Sequence, residues 1–284
     1  MLYRSIGPAG ARVSAISLGS WNTFSRLSPD ECGRLLRRAV DRGVNLFDIA
    51  FYWDKPDTER MFADAVGHAG ILRGQIQIAL KLWLWNYPEQ TLREQASESL
   101  QRLRMADADL VMVSRPTPEV DIDAFCGEIA ALVDAGVTRQ WGATNWEPAQ
   151  LARAREVLPP SRWPALVQLQ YNVARRAVVE SAEYDSLFAD GTLKLCAAFV
   201  LEGGILAGHL DRDRVNPGEF ARGVRPRERN IARDAGGVRE QIRALQPALA
   251  AIARDFDASA AQLAIAFALA HPALGTALIG VTTT

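Results

Sequence analysis

Eight short apolar runs, each separated from the next by helical periodicity, constrain this chain more than any other feature. The runs are Ala15–Leu18, Leu46–Asp48, Ile76–Lys81, Leu110–Val113, Trp141–Ala143, Val167–Gln170, Lys194–Ala197 and Gly275–Ile279. Strand-like segments alternating with helices of about 10–15 residues read as repeated βα units and a parallel sheet. Eight such units are what a closed (β/α)8 TIM barrel needs, and 284 residues suit one such domain spanning 1–284.

Local signals agree. Ser28 with Glu31, and Ser259 with Gln262, form capping boxes ahead of helical runs, and Pro29 falls at a first helical position. The stretch Ala261–Ala270 is apolar on nearly every face, so it is expected between the barrel and a neighbouring helix. Tyr3–Ile6 and Arg12–Val13 flank Gly7-Pro8-Ala9-Gly10, which predicts an N-terminal β-hairpin plugging the barrel bottom. Leu210 to Gly237 breaks the rhythm, and the eight arginines from Arg212 to Arg239 either meet phosphates or form a solvated surface.

Composition excludes several partner classes. Lys and Arg total 32 against 33 acids, a net charge of −1 that gives no electrostatic reason for a nucleic-acid partner. No run approaches the roughly 20 apolar residues of a membrane span. The amino terminus has no secretory signal pattern, so the cytoplasm is expected. Cys32, Cys126 and Cys196 sit in apolar surroundings and read as buried reduced thiols, while His68, His209 and His271 are far apart, so no metal site is expected.

Side chains at the carboxyl ends of barrel strands share one mouth. The residues so placed are Gly19-Ser20-Trp21, Asp48, Lys81, Ser114, Thr144-Asn145, Gln168 and the stretch Phe199 to Gly204. Asp48 and Lys81 read either as a carboxylate–ammonium pair that lowers the pKa of a nearby phenol, or as a structural ion pair at the rim. Thr144 and Asn145 can bind an amide or cap the following helix. Trp21, Trp53, Trp83, Trp85, Trp146 and Tyr87 all fall near strand ends, predicting an aromatic-lined pocket for a flat or apolar substrate.

In their order along the chain, VSAISLGSW, GVNLFDIA, QIALK, VTRQWGATNW, ALVQLQYN and LAIAFALAHPALGTALIG resemble segments of the aldo-keto reductases, and among them the branch containing the voltage-gated potassium-channel β subunits. The resemblance runs from about Tyr3 to the last residue. It implies NADPH bound at the mouth of the barrel and hydride transfer to a small-molecule aldehyde or ketone.

The family's tetrad of Asp, Tyr, Lys and His carries over in part. Asp48 and Lys81 match. Counting from Asp48 puts Trp53 at the Tyr position with Tyr52 one residue earlier, and an indole N–H is a poor acid, so Tyr52 is the expected proton donor. Ser114 replaces the His; it can hydrogen-bond a substrate oxygen but does not titrate near neutrality. On the cofactor side, Thr144, Asn145 and Gln168 match the groups that hold the nicotinamide amide, and Ser20 and Trp21 match residues beside the cofactor. The family's stacking aromatic aligns with Ala198, leaving Phe199 as the substitute, and its Ser-Pro-Leu continues as Phe199-Val200-Leu201. Thr282 precedes the segment with which the family holds the adenosine phosphate.

Three functions fit this reading: an NADPH-dependent carbonyl reductase, a lyase, dehydratase or cyclase using Asp48 and Lys81 without hydride transfer, or a regulatory subunit that keeps the pocket as a cofactor sensor. The oligomeric state is left open.

Overall fold

In the computed structural model, residues 1–21, 23–52, 57–210 and 238–281 are described. The chain opens with β1 (Tyr3–Ile6) and β2 (Ala11–Ser14), then runs β3 (Ile16–Gly19), α1 (Pro29–Asp41), β4 (Leu46–Ile49), α2 (Thr58–His68), β5 (Gln77–Leu82) and α3 (Leu92–Leu103). It continues through β6 (Ala108–Ser114), α4 (Ile122–Asp134), β7 (Thr138–Thr144), α5 (Pro148–Val157), β8 (Leu166–Gln170), α6 (Ala182–Phe188) and β9 (Lys194–Ala198). The last elements are α7 (Val238–Asp255), α8 (Ala260–Leu269) and β10 (Leu274–Ile279). Strands β3 to β10 are parallel in sequence order, and β10 pairs back onto β3 to close a (β/α)8 barrel. Each of the eight expected runs overlaps one of these strands, with Ala15 and Ile76 falling just before theirs.

Strand alternation sorts the side chains into two layers. Phe47, Ile49, Ile78, Leu80, Val111 and Val113 face the helices, in one continuous core with Phe62, Leu92 and Phe125. Leu46, Ala79, Leu110, Met112, Leu166 and Cys196 fill the barrel interior. Ile6 and Val13 of the hairpin are fully buried in that interior group, so β1 and β2 do plug the bottom. Gly7 is required at their turn: its φ is +64°, and a Cβ there would lie 2.5 Å from Gln140 Oε1 and 2.6 Å from the Ala165 Cβ.

The capping boxes of Ser28 and Ser259 form as expected, and Thr91 with Glu94 makes a third at α3. Helix α8 packs between β10 and α7. It buries Ala264 and Ala268 but leaves Ala266 exposed, so the apolar run is covered on most of its faces rather than all. All three cysteines are free and buried, and burial pushes the Cys126 and Cys196 thiols up to about 12. No helix among the described residues is long and apolar enough to cross a membrane. The arginine-rich segment before α7 lies largely outside the described residues.

Candidate active site at the barrel mouth

On β4 the alternation turns Leu46 and Asp48 inward. Asp48 is paired in register with Ala79 of β5, and Lys81 stands two residues further along that strand. The Lys81 Nζ donates to Asp48 Oδ2 at 2.9 Å and, across the barrel, to Gln168 Oε1 of β8 at 2.6 Å. Thr144, the register partner of Gln168 on β7, adds its hydroxyl to the same amide oxygen at 3.4 Å. Acid, ammonium, carboxamide and hydroxyl thus form one connected cluster, each residue under a tenth exposed. The ion pair is nearly desolvated, where its interaction is strong and removal of either partner is costly.

The sequence reading set Gln168 apart with Thr144 and Asn145 as an amide-binding trio. In the structure Gln168 also accepts from Lys81, so its amide oxygen joins Thr144 to the ion pair. Asn145 follows Thr144 in a left-handed conformation, φ +59°, and its backbone N–H donates to the Gln168 carbonyl.

The loop leaving β4 is pinned to this cluster. The backbone N–H of Ser20 donates to the Asp48 carbonyl, and its hydroxyl accepts from the Ala50 N–H at 3.2 Å. The Thr58 hydroxyl donates to the Ala50 carbonyl. Tyr52, buried at 4% exposure, brings its phenol oxygen to 3.5 Å from Ser20 Oγ. Its ring lies 6.1 Å from that of Trp83, and the Trp83 ring in turn lies 5.7 Å from the Lys81 ammonium. The Trp83 indole N–H donates to the Phe51 carbonyl, and Trp85 stacks on Trp83 at 5.1 Å. Trp53 and Thr282 lie outside the described residues.

Ser114, ending β6 beside Thr144, is 2% exposed, and its Oγ has no hydrogen-bond partner among the described residues. A buried hydroxyl without a partner is costly, so at a strand end it suits an incoming polar atom. On the far side Trp21 and Phe199, both half-buried, meet at 5.5 Å, with Leu201 two residues on.

Two of the expected pocket aromatics belong elsewhere. Trp146 is fully buried in the layer between barrel and helices, packed on Trp141 and Phe125, with its indole N–H shared by the Val113 and Ser114 carbonyls. Tyr87 packs edge-on against Phe125 and donates to Glu128, an arrangement in which burial pushes its phenol up to about 12. The mouth aromatics among the described residues are therefore Trp21, Tyr52, Trp83, Trp85 and Phe199. Among the described residues, no group of three or more potential His, Cys, Asp or Glu ligands comes together. An open cleft of about 680 Å³ between α1 and α2, lined by Arg34, Arg37, Arg38 and Arg42, contains none of the strand-end groups.

The sequence reading assigned no role to Asn172, to Arg175 or to Glu202 inside the stretch Phe199 to Gly204, though buried Asn172 and Glu202 and half-buried Arg175 join behind Phe199. The single acid inside the apolar run Phe199 to Ile205 was the available signal.

A parallel eight-stranded barrel with an acid, an ammonium, a carboxamide and a hydroxyl joined on its carboxyl edge belongs to the barrels that gather their polar groups at that edge. The aldo/keto reductase family model matches residues 15–284, and the chain belongs to that family of oxidoreductases. It is 29% identical over 99% of its length to a probable voltage-gated potassium channel subunit beta of Oryza sativa subsp. japonica, and 27% identical over 99% to one of Arabidopsis thaliana; it covers 88% of each. Among solved structures it is similar to an aldo/keto reductase from Klebsiella pneumoniae in complex with NADP and acetate: TM-score 0.73, 18% identity, 99% of this chain and 86% of that one. It is also similar to the glycerol dehydrogenase of Gluconobacter oxydans, with TM-score 0.74, 22% identity and the same coverage. At these identities the two structures speak to the fold alone.

Proposed function

We propose that the chain, as one barrel domain over 1–284, is an NADPH-dependent reductase of small aldehydes or ketones. The observation that carries this reading is the buried cluster of Asp48, Lys81, Gln168 and Thr144, with Tyr52 on the adjoining loop. A bound nicotinamide cofactor would supply the hydride. Thr144, Asn145 and Gln168 would hold its amide, Phe199 and Trp21 would offer aromatic surface beside it, and Ser20, Leu201 and Thr282 would complete that side.

The proton comes from Tyr52. An ammonium near a phenol stabilises phenolate, and Asp48 orients Lys81 by accepting its hydrogen bond. Ser114 orients the carbonyl by donating a hydrogen bond from its otherwise unpartnered hydroxyl. Trp83 and Trp85 form an apolar wall against which a flat substrate packs, and Trp53 belongs to the same loop as Tyr52.

The test combines a fluorescence titration with a turnover assay. NADPH is expected to quench the tryptophan emission of the full chain, and NADPH oxidation is expected with a panel of aldehydes and quinones. Tyr52→Phe should lower kcat by about a hundredfold or more, the usual share of general acid catalysis, with cofactor binding retained. No quenching at millimolar NADPH would remove the proposal; full turnover in Tyr52→Phe would move the proton donor elsewhere. The likeness to channel β subunits over 99% of the chain favours a second reading, a cofactor-sensing regulatory subunit, which predicts tight NADPH binding without turnover.

A further inference from the structure

The loop after β9 holds four left-handed residues within six positions: Phe199 at φ +55°, Glu202 at +47°, Gly203 at +65° and Gly204 at +104°. Two of the four are not glycine. Such backbone persists only where the surroundings over-determine it, and it concentrates at sites that must be pre-shaped. Here the surroundings are specific. Asn172, fully buried just after β8, donates from Nδ2 to the Phe199 carbonyl at 2.9 Å and to Glu202 Oε2 at 3.0 Å. Its Oδ1 accepts the backbone N–H groups of Ala174 and Arg175. Arg175 then grips Glu202 with a two-pronged pair, Nε to Oε2 at 2.8 Å and Nη2 to Oε1 at 2.9 Å, the carboxylate being 2% exposed.

We infer that Glu202, Arg175 and Asn172 are positioning residues: a buried tether between the β8 and β9 loops that holds Phe199 to Gly204 in its left-handed shape before cofactor arrives. The inference rests on the nicotinamide reading above, which places Phe199 and Leu201 on the cofactor side. Phe199 is joined to the tether through its own carbonyl, and its ring reaches Trp21. A loop already in its bound shape spares the ligand the cost of ordering it, so the tether acts on cofactor affinity and not on the hydride acceptor.

Glu202→Gly is the informative variant, because glycine accepts the positive φ while the carboxylate is lost; Arg175→Met cuts the tether from the other side. In the free full-length chain, hydrogen exchange read by mass spectrometry should quicken about tenfold or more over residues 199–206 in both variants, through the turn bonds from Glu202 N–H to Phe199 O and from Gly204 N–H to Leu201 O. NADPH Kd should weaken about tenfold in each, and in the double variant no further than in Glu202→Gly alone, since losing the carboxylate already removes the partner of both Arg175 and Asn172. Arg175→Lys should recover part of the affinity. Unchanged exchange in both variants overturns the inference, as does faster exchange with an unchanged Kd. If the wild-type chain itself fails to bind NADPH, the nicotinamide reading falls and takes the inference with it; wild-type binding with unaffected variants removes the inference alone.

Discussion

Asp48 and Lys81 carry opposite charges at 2.9 Å with side chains 7% and 5% exposed, so each is the other's main replacement for water. Lys81→Met leaves the carboxylate buried and unpaired, and removal of one partner of such a pair costs about 3–5 kcal/mol. Asp48→Asn with Lys81→Met removes both charges and should recover much of that loss, whereas neither variant should recover carbonyl reduction. Urea unfolding beside an NADPH-oxidation assay checks this; a double variant that regains turnover would show the pair to be structural only. At this scale the site was legible wherever a residue ends a strand, because period two and the strand end together determine where the side chain goes. Asp48, Lys81 and Thr144 were found that way, and Gln168, midway along β8, through the family resemblance. Glu202 fell within the stretch Phe199 to Gly204, but its role was not legible, since a lone acid in an apolar run does not say that it meets an arginine from a neighbouring loop.

Among elements, the same rule failed at Trp146. Thr144 faces inward, so strict alternation would send Trp146 into the mouth two residues later. The left-handed Asn145 breaks that alternation, and the indole turns out under the helices. Strands themselves were legible because their short apolar runs recur between stretches of helical periodicity; conformations at strand ends depend on φ values that residue types only weakly reveal. Helices α2 and α3 show how such ends are held. Glu59 of α2 is fully buried and pairs with Arg102 of α3, whose guanidinium lies 4.6 Å over the ring of Phe51, next to Tyr52. Burial pushes the Glu59 carboxyl above its ordinary 4.5, with Arg102 pulling the other way. A raised folded-state pKa means that Glu59 favours folding most when protonated, and that this contribution is lost as pH rises through the folded value. Arg102→Met removes the opposing pull, raises that value further and widens the window. The variant should therefore lose more stability, measured by Tm against wild type, at pH 7 than near pH 4, which lies below the ordinary 4.5 and so below the raised Glu59 value in both proteins. An equal Tm loss at both pH values would mean that Arg102 acts only through its stacking on Phe51.

Taken whole, the barrel divides its labour between two ends. The polar cluster stands at the carboxyl edge, while at the opposite edge Ile6 and Val13 seal an interior of Leu46, Leu110, Met112 and Leu166. One buried thiol lies within reach of both: Cys196 packs with that apolar group, and the charges of Asp48 and Lys81 act on it. Side chains closely packed along this axis would transmit a gross disturbance, but a change confined to the hairpin turn should be absorbed as lost stability, not lost geometry at the mouth. Gly7→Ala supplies that change. The added methyl meets Gln140 and Ala165 at closer than van der Waals distance and sits on a φ of +64°. Overpacking together with a left-handed alanine should cost about 2–4 kcal/mol. Tm should fall accordingly, while NADPH Kd and kcat, measured well below the new Tm, stay within about twofold of wild type, since distant sites couple weakly. A tenfold change in either constant at constant folded fraction would show that the plug and the mouth form one mechanical unit.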